Sequence, residues 1–134
     1  MRRKKVGLVE RVRVSGRKGA FWINAKIDTG SERTSLDSRL ARKLGLGPVL
    51  GYVKIRSSHR DTSMKRPVMK IKLDIANERF TLNAGINDRS RLRYRAIIGK
   101  DILMAGHFLI DPAKPRPKPI HKKPQPSSAS TTVF

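Results

Sequence analysis

Asp28, Thr29, Gly30 and Ser31 form the cluster in this 134-residue chain whose residue types could carry acid–base chemistry. A carboxylate takes and returns a proton, the two hydroxyls beside it can hold it in place, and a glycine opens a backbone conformation closed to residues with a Cβ. Residues 21–26 alternate in character and lead through Ile27 into the cluster, which therefore sits where a strand stops at a tight turn. An Asp-x-Gly sequence after a strand is also an ordinary turn. The triplet arises by chance in roughly a few per cent of chains this size, so alone it decides little.

A second feature lies well downstream. Ala96-Ile97-Ile98-Gly99-Lys100-Asp101-Ile102-Leu103 is an apolar pair, a glycine and then a helix-compatible segment. In this order the two pieces resemble the retropepsin-like aspartic peptidases, where an Asp-Thr-Gly turn carries the catalytic carboxylate and a later strand ending in two apolar residues and Gly passes beside it. The resemblance implies an all-β, closed β-barrel-like acid-protease fold with one or two short helices. It makes Asp28 the catalytic residue, supported by Thr29, Gly30, Ser31, Ile97, Ile98 and Gly99. It narrows further through residues 6–10, Thr34-Ser35-Leu36, Arg66-Pro67-Val68, the run from Asn87 through Asp88-Arg89-Ser90 to Arg93-Tyr94, and Phe108-Leu109-Ile110-Asp111-Pro112. These look like a subfamily that carries the label of ATP-dependent zinc proteases and is associated with the ligase that adds glutamates to a ribosomal protein. The likeness covers residues 6–112 and is densest around Arg89 and Tyr94, to which it gives a structural or substrate-binding role. Ser31 departs from it, since the subfamily more often has Ala there.

An aspartic peptidase needs two carboxylates that share a proton and activate a water, because two like charges in contact do not both ionise. This chain has one Asp-Thr-Gly. The resemblance therefore implies a homodimer that brings Asp28 and its copy together across a two-fold axis and titrates as one unit.

The elements that must position this turn can be read from periodicity. Val12 and Val14 alternate with Arg11 and Arg13, and Phe21, Ile23, Ala25 and Ile27 with Trp22, Asn24 and Lys26, around a turn at residues 15–19: a hairpin. That period puts Trp22 on the side of Asp28, where it lines a cleft or packs on a sheet face. Leu36, Leu40 and Leu44 recur at helical spacing, with Ser35 as a cap, Arg42 and Lys43 in the last turn and Gly45 as a stop. Val53 and Ile55 precede a polar segment, residues 57–63, which reads as a flap tip over the cleft or as a solvated loop. Two antiparallel strands follow, Met69 to Ile75 and Phe80 to Ile86 in alternation, joined at Ala76-Asn77. Arg89, Arg91, Arg93 and Arg95 form either an anion-binding rim or a solvated basic loop.

Length allows one domain with a limited core, read as residues 1–111. From Pro112 six prolines are interspersed with lysine, arginine and serine, so residues 112–134 read as a disordered basic tail with little to bury. The net charge of +21 makes acidic peptides, nucleic acid or ribosomes natural partners. No cysteine is present, which excludes disulfides and thiolate metal sites. The basic start lacks the apolar segment of a signal peptide, and no stretch approaches the roughly 20 apolar residues of a membrane span, so a cytoplasmic protein without membrane contact is expected.

Three functions follow. The first is an aspartic endopeptidase without cofactor or metal, acting on a peptide or protein substrate, with acidic or polyglutamate chains suggested by the ligase association. The second is a non-enzymatic nucleic-acid- or ribosome-binding protein on the same scaffold; charge favours it, but no nucleic-acid-binding motif is present. The third is a zinc peptidase, for which His59, His107 and His121 are scattered and form no His-Glu-x-x-His.

Overall fold

The structure is a computed structural model that describes residues 2–56, 63–120 and 131–133. Its first long elements are β2 (Val9–Gly16) and β3 (Gly19–Ile27), preceded by the short β1 (Lys5–Val6). β2 and β3 pair antiparallel with Val12 opposite Ile23 and Val14 opposite Phe21, so the alternating apolar residues of both strands share one buried face. This is the expected hairpin.

Next comes β4 (Ser35–Asp37) and then α1 (Ser38–Leu44). The helix starts later than the leucine spacing predicts. Ser35 does not cap it; it is a buried strand residue, and Asp37 occupies the cap position without a side-chain cap bond. Leu36 is buried from the strand, while Leu40 and Leu44 are buried from the helix. The stop is as expected: Gly45 takes φ 68° and donates its N–H to the Arg42 carbonyl.

β5 (Gly51–Arg56) pairs with the first half of β6 (Ser63–Ile75), forming a second hairpin. Residues 57–62, most of the segment read as a flap tip, lie outside the described residues. The second half of β6 pairs with β7 (Glu78–Asn87) through Ala76 and Asn77, both at positive φ, which suits the twist of a two-residue hairpin turn. β8 (Ala96–Ile98) leads into α2 (Lys100–Ala105), followed by β9 (Leu109–Ile110) and, beyond the last gap, β10 (Thr131–Val133).

Pairing runs β3-β2-β6-β7-β4-β8 and returns from β8 to β3, which closes a six-stranded barrel. β4 with β7 and β8 with β3 are the parallel joints. β1 and β9 form a separate parallel pair, and β10 pairs parallel with the first part of β3, at Ala20 to Trp22, whereas β8 pairs with its last two residues. The barrel is filled by Ile23, Leu36, Ile71, Leu73, Ile75, Ile98 and Ile102, all essentially inaccessible. This is the all-β closed barrel with two short helices that the sequence leads one to expect.

Of the segment read as a tail, residues 112–120 and 131–133 are described, the latter as β10. Lys114 Nζ is 2.9 Å from Glu10 Oε2, and the Lys118 carbonyl accepts from Arg11 Nη2 and, at 3.1 Å, from Asn24 Nδ2. Proline removes donors from a strand ladder, but here side chains of β2 and β3 supply the donors to a tail carbonyl.

Candidate active site

Asp28 follows the last residue of β3, and its N–H donates to the Ile98 carbonyl at 2.9 Å, so β8 fixes where the turn begins. The carboxylate is held from within the turn. Gly30 N–H donates to Oδ1 at 2.9 Å and the Ser31 hydroxyl to Oδ2 at 2.8 Å. Each oxygen thus has one donor, with Asp28 half-buried and Thr29 and Gly30 exposed beside it. Ser31 is the hydroxyl that grips the carboxylate; Thr29 makes no side-chain bond to it.

The turn is clamped from behind by residues 99–101. A Cβ on Gly99 would lie 2.7 Å from Arg33 C, 2.8 Å from Ser31 O and 2.9 Å from Arg33 O, all backbone atoms, so only glycine permits this approach. Lys100 N–H donates to Ser31 O at 2.8 Å. Asp101 accepts from the Thr34 N–H and, at 2.7 Å, from the Thr34 hydroxyl, which itself accepts the Gly99 N–H at 3.1 Å. Sequence reasoning quoted Asp101 in its motif without giving it a role; its partner is 67 residues away and no local pattern reveals it.

Arg89 and Tyr94 are brought together, with Arg89 within electrostatic reach of Asp28. Arg89 is buried, its backbone N–H donates to Asp37 Oδ1 at 2.7 Å, and its Nε donates to the Tyr94 carbonyl at 2.9 Å. Burial lowers its pKa below the ordinary arginine value, the nearby Arg66 adds to this, and Asp37 and Asp28 oppose it. Asp37 is fully buried, and its Oδ2 has no hydrogen-bond partner among the described residues, with Arg39 Nε 3.9 Å away. The Tyr94 side chain faces a cavity of about 900 Å³ lined also by Arg39, Lys43, Arg93, Arg95 and Arg116. Trp22 is on the outer face, 39% exposed, beside Arg13 and the tail prolines Pro115 and Pro117.

The strand register extends the face that carries Lys26. Lys26 is opposite Ile97, Ile97 opposite Ser35, Ser35 opposite Gly85, and Gly85 opposite Val68. Directly paired residues share a face, and so do residues two apart on a strand. Arg66, two before Val68, therefore shares this face with Lys26, the turn of Asp28 begins two residues beyond Lys26, and Arg66 and Asp28 both lie within electrostatic reach of Arg89. Arg66 is the residue sequence reasoning missed as a site candidate.

A family model for the RimB-like proteins, described as retropepsin-like aspartic endopeptidase RimB, matches residues 41–121, more than half of the chain. The chain belongs to this family. As a RimB-like retropepsin it carries the Asn87–Gly99 run inside the matched region, while Asp28 lies upstream and is joined to that region by its bond to Ile98. Among solved structures, the Legionella pneumophila protein Lpg0085, of unknown function, is similar with a TM-score of 0.58 at 19% identity, over 84% of this chain and 96% of that one. The EIAV protease in complex with the inhibitor HBY-793 is similar with a TM-score of 0.59 at 14% identity, over 77% and 90%. At these identities the likeness is one of fold. No curated protein sequence matches.

Within this retropepsin-like frame, the carboxylates near Asp28 in sequence or space are otherwise engaged. Asp101 is committed to Thr34, and Glu32 is paired with Lys100 Nζ at 2.8 Å on the surface. Among the described residues no three His, Cys, Asp or Glu side chains converge as metal ligands; His59 and His121 lie outside them. No described helix is long and apolar enough to cross a membrane.

Proposed function

We propose that the chain is an aspartic endopeptidase whose active site forms when two copies place their Asp28 side chains together across a two-fold axis. The observation that carries this reading is the grip on Asp28: one donor per carboxylate oxygen from its own turn, while Asp101 and Glu32 of the surrounding clamp are bound to Thr34 and Lys100. A single chain then offers half of an acid–base pair, and symmetry supplies the other half. In the pair one carboxylate removes a proton from water as its oxygen bonds to the peptide carbonyl carbon, and the protonated partner gives its proton to the carbonyl oxygen. Collapse of the tetrahedral adduct breaks the C–N bond, with a proton passing to the departing nitrogen. Ser31 and Gly30 keep the two oxygens oriented through these steps.

The substrate class we assign is acidic peptide, including glutamate chains, on the charge of +21 and the family's glutamate-ligase association. The test is cleavage of a peptide panel containing glutamate-rich members, followed through serial dilution. Activity per chain should fall as the dimer dissociates, and acidic peptides should be cut faster at low salt. A fully active monomer would rule the mechanism out.

A second reading, nucleic-acid binding without catalysis, is favoured by the cavity that gathers Arg39, Lys43, Arg93, Arg95 and Arg116 around Tyr94, since cations beside an aromatic ring suit phosphate and base together. Unchanged RNA binding by a chain that cuts no peptide would select it.

A further inference from the structure

Arg66 is a half-buried guanidinium with no acidic partner among the described residues. Its Nη1 reaches the Ser35 hydroxyl at 3.4 Å, and no carboxylate among the described residues stands within ion-pair distance of it. Its stem is seated: a Cβ on Gly85 would lie 3.0 Å from Arg66 Cδ, so the absence of a side chain at Gly85 makes the trough along which Arg66 runs. Arg89, the other guanidinium within its electrostatic reach, already has the Tyr94 carbonyl as a partner and Asp37 close by. The register places Arg66 on the face of Lys26, which leads into the Asp28 turn, and both Arg66 and Asp28 lie within electrostatic reach of Arg89. Burial with no counter-charge among the described residues raises this cation in energy until an anion arrives. The same partial burial strengthens any bond that anion makes.

We infer that Arg66 is the specificity-determining residue of the site, a carboxylate-binding subsite that accepts an acidic side chain of the substrate next to the bond held at Asp28. This deepens the peptidase reading and rests on it for the word substrate; the binding claim stands separately. A planar guanidinium on a seated stem takes a carboxylate through two parallel N–H···O bonds, and a glutamine side chain through fewer and weaker ones. Selection therefore falls on charge and planarity rather than on size.

The experiment uses the full chain bearing Asp28→Asn, which cannot consume its ligand, and fluorescein-labelled hexaglutamate and hexaglutamine read by anisotropy at fixed salt. With Arg66 present, hexaglutamate should bind at least about tenfold tighter, the size expected of a charge-assisted pair. Arg66→Met keeps the stem over Gly85 and should abolish most of that preference, whereas Lys70→Met, an exposed cation on the same strand, should leave it nearly intact. Arg66→Lys should recover part of it. Equal losses from Arg66→Met and Lys70→Met would mean that only net charge is sensed, and no preference in the parent would mean that no subsite exists; either overturns the inference. In the active chain, Arg66→Glu should turn cleavage toward lysine-containing peptides. Should the wild type cut nothing, the peptidase reading fails while the anisotropy ratio still decides the role of Arg66.

Discussion

Thr34 and Asp101 are joined side chain to side chain at 2.7 Å, and the same carboxylate also takes the Thr34 N–H. Because the Thr34 hydroxyl accepts the Gly99 N–H as well, one threonine ties the segment after the Asp28 turn to both β8 and α2. The position of the candidate catalytic carboxylate thus depends on a bond far from it in sequence. Asp101→Ala would leave the Thr34 donors buried and unpaired. We expect a loss of about 3 kcal/mol in urea unfolding, the cost of losing charge-assisted bonds in such a place.

Gly99→Ala tests the same clamp sterically. The added methyl would press on backbone atoms of Ser31 and Arg33, which yield only if the turn moves. A destabilisation of about 2–3 kcal/mol is expected from overpacking. Activity should fall further than stability predicts, since the displaced segment also carries the Ser31 grip on Asp28. Wild-type activity in a folded Gly99→Ala chain would show that the turn is held otherwise.

How much of this was legible in the sequence depends on the range of the interaction. The β2–β3 and β6–β7 hairpins were readable because alternation and turn residues are local signals, and Ala76-Asn77 adopts the positive φ values that such a turn requires. Ser35 was misread because Leu36, Leu40 and Leu44 are spaced like a helix face; a buried strand followed directly by a helix yields the same spacing. The parallel joints that close the barrel leave no local trace. Arg66 was quoted only as part of a motif: alternation on β6 shows that it is opposite the strand's other face, but only pairing through β7 and β4 reveals that this is the face of Lys26, which leads into the Asp28 turn.

A pH dependence follows from Asp74. Arg79 donates to both of its oxygens, at 2.8 and 3.2 Å, and holds its pKa below the ordinary carboxylate value. The folded pKa is lower than the unfolded one, so the stabilisation is present above the unfolded value of about 3.9 and lost as pH falls through the folded value. The melting temperatures of wild type and Asp74→Asn should differ at neutral pH and converge in acid, as the pH falls through the lowered folded value. A difference that persists in acid would point to packing instead. Being near the surface, the effect should be small and weaken with salt.

Tail docking can be separated from tail charge. Lys114 meets the Glu10 carboxylate, which also accepts the Gly7 N–H at 2.7 Å, while the Lys118 carbonyl takes Arg11 and Asn24. Lys114→Ala should cost about 1 kcal/mol at most, as partly exposed pairs do. Deleting residues 113–134 should cost more, because Arg11 and Asn24 lose their acceptor too, and should weaken polyanion binding with a smaller salt slope. A deletion with unchanged melting temperature would make these contacts incidental.

The shared dyad makes a prediction that no single-chain site would. Asp28→Asn keeps the size of the side chain: its Oδ1 can still accept the Gly30 N–H, and its Nδ2 can donate to the Ser31 hydroxyl oxygen, so folding and pairing of chains should survive and could improve, because two carboxylates held together repel. The mutant alone should be inactive, and a chelator should leave the wild type unaffected. Mixed and allowed to exchange in equal amounts, wild-type and mutant chains would form hybrid dimers with one carboxylate, which cannot hold a proton between two acids. Wild-type activity should then fall to about half through random pairing, and further as mutant is added in excess. A wild-type rate that ignores the mutant, under conditions where sedimentation shows hybrid dimers, would mean that one Asp28 suffices and that the two-chain mechanism is wrong.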